Sequence, residues 1–239
     1  MNKVSIIIPF FNCPYIGLAI ESALNQTYQN LEVIVVDDGS SLHNEKVTPY
    51  LSRIKYIKKI NGGTASALNT GIRHATGDYF AWLSSDDLFH PLKIEKQLHF
   101  MKIVNAQASY SNFYLINEHG KIVSLPQGMG FPNQVQFLKR MRRGCVINGC
   151  TVMLKMNIFK ELGLFDETLL YTQDYDYWLR ILPKYRFHYF SEPLVYYRVH
   201  SQMGTKQHRL QIKKELQLTT QRHIQKMNEL IKTSIQKGI

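Results

Sequence analysis

The chain has 239 residues, 44% of them apolar, which is enough for one large α/β domain with a sizeable core and excludes a disordered protein. Its formal charge of +11 calls for an anionic partner: a nucleotide-linked substrate, an anionic lipid surface or nucleic acid. Cys13, Cys145 and Cys150 make neither an even disulfide set nor the paired Cys/His spacing of structural zinc, and no apolar run approaches the ~18 residues needed to span a bilayer, so a reduced, cytoplasmic protein is expected.

Residues 4–11 read as a buried strand, continuous and β-branched, broken by Asn12 and Pro14; the run is too short for a signal peptide. Ile16, Ala19, Ile20, Ala23 and Leu24 then form one helical stripe, with Pro14 near its first turn. Strands follow at 31–36 and 54–60, separated by Pro49. After the turn Asn61-Gly62-Gly63, Thr64 is expected to cap a helix that turns Ala65, Leu68, Ile72 and Ala75 inward and ends at Gly77, before a strand at 79–83. Strand and helix alternation to this point predicts a mainly parallel, doubly wound sheet.

Beyond a helix at 91–104 the pattern becomes mixed: a strand at 108–117, a hairpin-type turn at 118–121, a strand at 150–154, a helix at 175–182 stopped by Pro183, and a strand pair within 186–199. The last 35 residues carry eight of the 29 lysines and arginines against only Glu215 and Glu229. There Ile212, Leu216, Thr220, His223, Met227, Leu230 and Ile235 share roughly one helical face. This tail, residues 205–239, reads as an amphipathic helix packed on its own domain or a second subunit, or as a basic element meeting an anionic membrane. Zinc-finger spacing, basic-zipper heptads and an aromatic RNA-binding signature are all missing, which makes nucleic acid the weakest partner.

Two strands end in adjacent carboxylates. Val33-Ile34-Val35-Val36 runs into Asp37-Asp38-Gly39-Ser40, and the apolar run from Tyr79 to Leu83 into Ser84-Ser85-Asp86-Asp87. Ligands of open α/β sheets bind at the carboxyl ends of strands, so the two pairs point to a phosphorylated, metal-chelating ligand. The bland readings are an Asx turn before Gly39 and a helix cap before Pro91.

The ordered pieces Ser5-Ile6-Ile7-Ile8-Pro9-Phe10-Phe11-Asn12, Val35-Val36-Asp37-Asp38-Gly39-Ser40, Asn61-Gly62-Gly63 with Asn69-Thr70-Gly71-Ile72, Gly77-Asp78-Tyr79, Leu83-Ser84-Ser85-Asp86-Asp87 and Asp174-Tyr175-Asp176-Tyr177-Trp178-Leu179-Arg180 resemble family 2 glycosyltransferases. The resemblance covers most of residues 4–200 and implies the GT-A fold. It divides residues 1–204 into a nucleotide-binding half (1–104) and an acceptor-binding half (105–204). It implies an inverting transfer of sugar from a nucleotide-sugar donor, UDP-linked on family grounds, to a saccharide or lipid-linked saccharide acceptor in cell-surface glycan synthesis.

Under that resemblance the base lies between the Pro9 to Phe11 backbone and the Phe11 ring, which replaces the tyrosine common there. Asp38 accepts from the base, and Asn12, Asn61, Asn69, Ser85 and Arg198 complete the nucleotide site. Asp37 is structural. Asp86 and His200 hold a manganese or magnesium ion; because Ser84 replaces the first acid of the usual Asp-x-Asp, metal dependence is expected to be weakened. Asp174 is the general base, and the change of its usual glutamate neighbour to Gln173 is expected to lower its proton affinity. Asp176, two residues on along a helix, points elsewhere. Gly149, Cys150 and Thr151 line the acceptor pocket. Lys155 and Arg180 are expected to snorkel to solvent. A membrane-facing location at the inner face of the cell membrane and a homodimer remain compatible with the tail. The rival readings are a non-catalytic nucleotide-sugar-binding protein, suggested by Ser84 and Gln173, and a nucleotidyltransferase, for which Asn12-Cys13-Pro14-Tyr15 is a poor triphosphate loop.

Overall fold

A computed structural model describes residues 2–238. Eight strands form one sheet: β1 (Val4–Phe10), β2 (Leu31–Asp37), β3 (Lys55–Lys58), β4 (Tyr79–Trp82), β5 (Leu88–Phe89), β6 (Ala108–Ile116), β7 (Met153–Lys155) and β8 (Phe187–Arg198), in the order β3-β2-β1-β4-β7-β6-β8-β5. The first four run parallel; β7 is antiparallel to both β4 and β6, and β6 pairs parallel with β8. This is the α/β architecture that the alternation predicted, with a mixed second half.

Period-two alternation divides the strand residues between two cores. Ile7, Ile34, Val36, Phe80 and Trp82 face one side of the sheet, while Ile6, Ile8, Val33, Val35 and Ala81 face the other. Helices α1 (Ile16–Leu24) and α3 (Lys93–Ile103) cover the second side through Ile16, Ala19, Ile20, Ala23, Ile94, Leu98 and Met101. The first side is covered by α2 (Gly63–His74), α4 (Gln134–Met141), α5 (Asn157–Leu162) and α6 (Gln173–Ile181), together with part of α8 (Arg209–Gln236); α7 (Gly204–Gln207) is a single turn before α8.

Several local expectations are corrected. Thr64 does not cap α2: Gly62 is the N-cap, and Gly63 starts the helix at φ +84°. Nor does Gly77 end it. The helix stops at His74, and Gly77 is required because a Cβ there would lie 2.6 Å from Ser5 Oγ and 2.9 Å from the Lys3 carbonyl. The segment from 186 to 199 is one long strand rather than a pair; Pro193 sits opposite Asn112 where the β6 register shifts, a place that tolerates a missing N–H. Residues 149–151 form a 3-10 turn, so β7 begins only at Met153. Arg180 does not snorkel: it donates to Asp176 Oδ2 and to the carbonyls of Leu162 and Leu164. Helix α4, an addition to the expected elements, is capped by Asn133, whose side chain accepts from the Gln136 amide.

The basic tail is the 28-residue α8, which packs on its own domain. Met227, Ile231, Thr219 and Ser234 take the deepest positions, while Ile235, expected on the inner face, is 55% exposed. Among the described residues, no helix is long and apolar enough to cross a membrane.

Candidate active site

Strands β1, β2 and β4 end at one cavity of about 640 Å³. After β1 the chain turns at Asn12 (φ 48°), whose Oδ1 accepts from the Ser41 and Leu42 amides and so joins the β1 and β2 loops. That turn leaves the Phe11 ring 53% exposed at the cavity wall, an apolar face on which a planar ring can stack. After β2, Asp37 accepts from the Ser40 amide and the Tyr56 hydroxyl, the structural role read from its position. Asp38 is buried; its oxygens accept from the Gly62 and Gly63 amides and from Lys59 Nζ at 2.6 Å. The Gly62 amide reaches both oxygens, so these donors make four contacts to a carboxylate that accepts about four, and a donor from the cavity is served by exchanging one of them. Asn61 donates to the Asp38 carbonyl and lines the same wall.

The second acid pair splits in function. Asp86 faces the cavity, and its Oδ2 lies 3.1 Å from His200 Nε2. Asp87 turns inward, accepting from the Arg198 amide and the Cys150 thiol; burial, with the Asp86 charge beside it, pushes its carboxyl well above the usual range. The Ser84 hydroxyl meets Cys150 Sγ at 3.2 Å, and Ser85 bonds the Cys13 side chain. Arg198 is buried beneath the site, not in it: it donates to the carbonyls of Asp86, Asn117 and Glu118 and lies over the Tyr15 ring. It therefore props the Asp86 loop from behind.

Asp174 lies in the first turn of α6 and borders an adjoining space of about 330 Å³, with Cys145, Ile147, Asn148 and Leu216 also on its wall. Tyr171 and Ile212 are common to both cavities. Burial raises the Asp174 carboxyl to about 6, against a hydrogen bond from the Tyr175 amide that lowers it, and the negative charge of Glu215 adds to the rise. Low-dielectric surroundings thus hold the Asp174 carboxyl above the ordinary aspartate range even with the neutral Gln173 beside it. Asp176 is directed away, held by Arg180, Arg222 and His223.

Other expected site residues do not reach either space. Asn69 is buried, with its amide donating to the Phe165 carbonyl and Glu167 and its oxygen accepting from the Phe165 amide. Gly149, Cys150 and Thr151 are likewise buried. A Cβ on Gly149 would lie 2.3 Å from the Trp82 ring, so Gly149→Ala is expected to destabilise the fold by about 1–3 kcal/mol, read by denaturant unfolding. Their place is a floor beneath Trp82 and Ser84, and the second cavity is walled instead by residues such as Cys145, Ile147 and Asn148. Two residues on the wall of the first cavity carry buried polar atoms without a partner among the described residues: Trp82 Nε1 and Gln173 Oε1.

The Asp86 and His200 pair suits a divalent cation held jointly with a substrate. One carboxylate and one imidazole are hard or borderline donors, and magnesium or manganese commonly completes its shell with phosphate oxygens and water. No cluster of three or more His, Cys, Asp or Glu ligands occurs among the described residues, so an all-protein cage is not built here.

Residues 5–163 match the model of Glycosyl transferase family 2. An uncharacterized glycosyltransferase of Rickettsia felis is 40% identical over 85% of the chain, but the match spans only 35% of that relative's length. In Escherichia coli, UDP-Glc:alpha-D-GlcNAc-diphosphoundecaprenol beta-1,3-glucosyltransferase WfaP is 34% identical over 77% of the chain and 72% of its own length. The solved structure of S. aureus TarS 1-349 in complex with UDP superposes with a TM-score of 0.70 at 19% identity, covering 91% of this chain and 65% of that one, and so shares the fold.

Proposed function

Since this chain belongs to glycosyl transferase family 2, we propose that it moves a sugar from a UDP-sugar to a hydroxyl of a saccharide or lipid-linked saccharide, with inversion at the anomeric carbon. The observation that carries this reading is the convergence of Phe11, Asp38, Asp86 and His200 on one cavity, separated by a shared wall from a second that holds Asp174.

In this reading the uracil ring stacks on Phe11 and donates its N3–H to Asp38, with Asn12 and Asn61 shaping the loop walls. Asp86 and His200 hold a magnesium or manganese ion, which when bound supplies positive charge to the diphosphate. Ser85 faces the ribose or diphosphate. Trp82 N–H and the Gln173 carboxamide oxygen, otherwise unpartnered, serve the hydroxyls of the donor sugar. Asp174, ionised above about pH 6, takes the proton of the acceptor hydroxyl. The oxygen then forms its bond to the anomeric carbon as the bond to the diphosphate breaks, and UDP leaves with the electron pair. A single in-line displacement inverts the centre.

The relative WfaP is named for a diphosphoundecaprenol-linked acceptor, and here the apolar wall of Ile147, Ile212 and Leu216 suits an amphipathic one. Leu210 and Leu218, 75% and 69% exposed beside Arg209, Lys213 and Lys214, favour contact with an anionic lipid surface at the cytoplasmic face.

A thermal-shift titration with UDP, GDP and dTDP, each with manganese or with chelator, tests the donor site. UDP with manganese at a hundred times its Kd should add about 2.7 kcal/mol to stability. Absence of a shift with every nucleotide would overturn the reading.

A further inference from the structure

The wall between the two cavities is fastened from the tail. The Glu215 carboxylate on α8 accepts from three consecutive backbone amides, Leu170 at 3.1 Å, Tyr171 at 2.8 Å and Thr172 at 2.6 Å, and from the Thr172 hydroxyl at 2.9 Å. Thr172 is the N-cap residue of α6, two positions before Asp174, and its hydroxyl also meets that of Thr219, 2.8 Å away. One turn further along α8, His223 Nε2 holds Asp176 Oδ1 at 2.7 Å, and Arg222 bridges Asp176 and Asp166. A lone carboxylate satisfying three successive amides is a strong, directional anchor, because charge-assisted bonds are roughly twice as strong as neutral ones. Leu170 and Tyr171 line the donor-side cavity, while Tyr171, Thr172 and Asp174 line the acceptor side. The anchored strip thus sets how the two spaces face each other.

We propose that Glu215 is a positioning residue for sugar transfer: from the tail helix it fixes residues 170–172 and the start of α6, and so places Asp174 against the donor. This rests on the reading of Asp174 as the base. It also gives the tail a role inside the reaction, since the Glu215 charge acts on Asp174 from across the fold. The charged group that acts on Asp174 is Glu215 from α8, while the Cys145 thiol, in the segment after α4, feels both Asp174 and Arg140.

The test compares Glu215→Gln and Glu215→Asp with wild type, using UDP-sugar and an acceptor that wild type glycosylates. Glu215→Gln is expected to lower kcat about 10- to 100-fold, the cost of a small misplacement, with the donor KM within about twofold. Removing the negative charge should move the acid limb of the kcat/KM profile to lower pH. Glu215→Asp, with the charge on a shorter arm, should lower kcat while the limb stays near its wild-type position. Hydrogen exchange should quicken at the Leu170, Tyr171 and Thr172 amides in Glu215→Gln while the sheet stays protected. An unchanged kcat and limb in Glu215→Gln would overturn the proposal, as would a kcat loss with an unmoved limb and general loosening. If Glu215→Gln does not fold, Thr219→Val removes only the second hydroxyl contact to Thr172 and carries the kcat and hydrogen-exchange readings at smaller size, with the acid limb unmoved because the Glu215 charge is kept. Wild-type transfer that survives Asp174→Asn would instead remove the base assignment on which the proposal stands.

Discussion

Asp174→Asn is expected to reduce sugar transfer by about 10²- to 10⁴-fold, the range a positioned general base contributes, while UDP still binds. The side chain borders the smaller cavity and not the one that Phe11 and Asp38 line, so the two properties separate. In wild type, kcat/KM should fall as pH drops through about 6, where the buried carboxyl takes up its proton; the variant's residual rate should lack that limb. Stability provides the control. The folded carboxyl titrates near 6 and an unfolded aspartate near ~3.9, so the unfolded chain loses this proton first. The charged group therefore costs stability increasingly from about pH 4 to 6 and fully above that. Asparagine carries no such cost, and the variant should unfold at or above the wild-type temperature at neutral pH, with the difference vanishing below about pH 4. A variant that loses both activity and stability at neutral pH would count against this assignment.

Asp86→Asn should have the complementary effect. The change removes the carboxylate of the Asp86 and His200 pair and leaves the stacking face of Phe11 in place. The manganese-dependent part of the UDP thermal shift should collapse, and transfer should fall by roughly 10²- to 10³-fold, as when one electrostatic contact to a developing charge is removed. Asp174→Asn should keep that shift in full. If UDP stabilises Asp86→Asn as well as wild type, with the same response to chelator, then the cation is held elsewhere or plays no part. Asp87 is no substitute, because both its oxygens are committed to Arg198 and Cys150.

The acids at the strand ends were legible because their message is local. An apolar run that gives way to a carboxylate, directly after β2 and a few residues after β4, specifies both the strand and the end at which the carboxylate emerges, and Asp38 and Asp86 stand at the cavity accordingly. Asn69 carried a similar motif signal but lies on a helix turned toward Phe165 and Glu167, so its amide is consumed in packing. Arg198 and the 149–151 turn failed for a related reason: proximity in the fold put them beneath the site, and only three dimensions distinguish a floor from a lining. Glu215 was visible as one of two acids in a basic tail, yet the amides it meets lie 43 to 45 positions away.

What the sequence by itself determined is the alternating strand and helix order, the two-sided apolar cores and the strand-end acids, because periodicity and backbone preference act over a few residues. Tertiary structure alone decided which polar side chains are spent on the protein and which face the cavities, how far burial raises Asp174, and that the tail grips the segment bearing it. Those outcomes depend on hydrogen-bond partners and a local dielectric that come from distant parts of the chain, and no short stretch of sequence contains them.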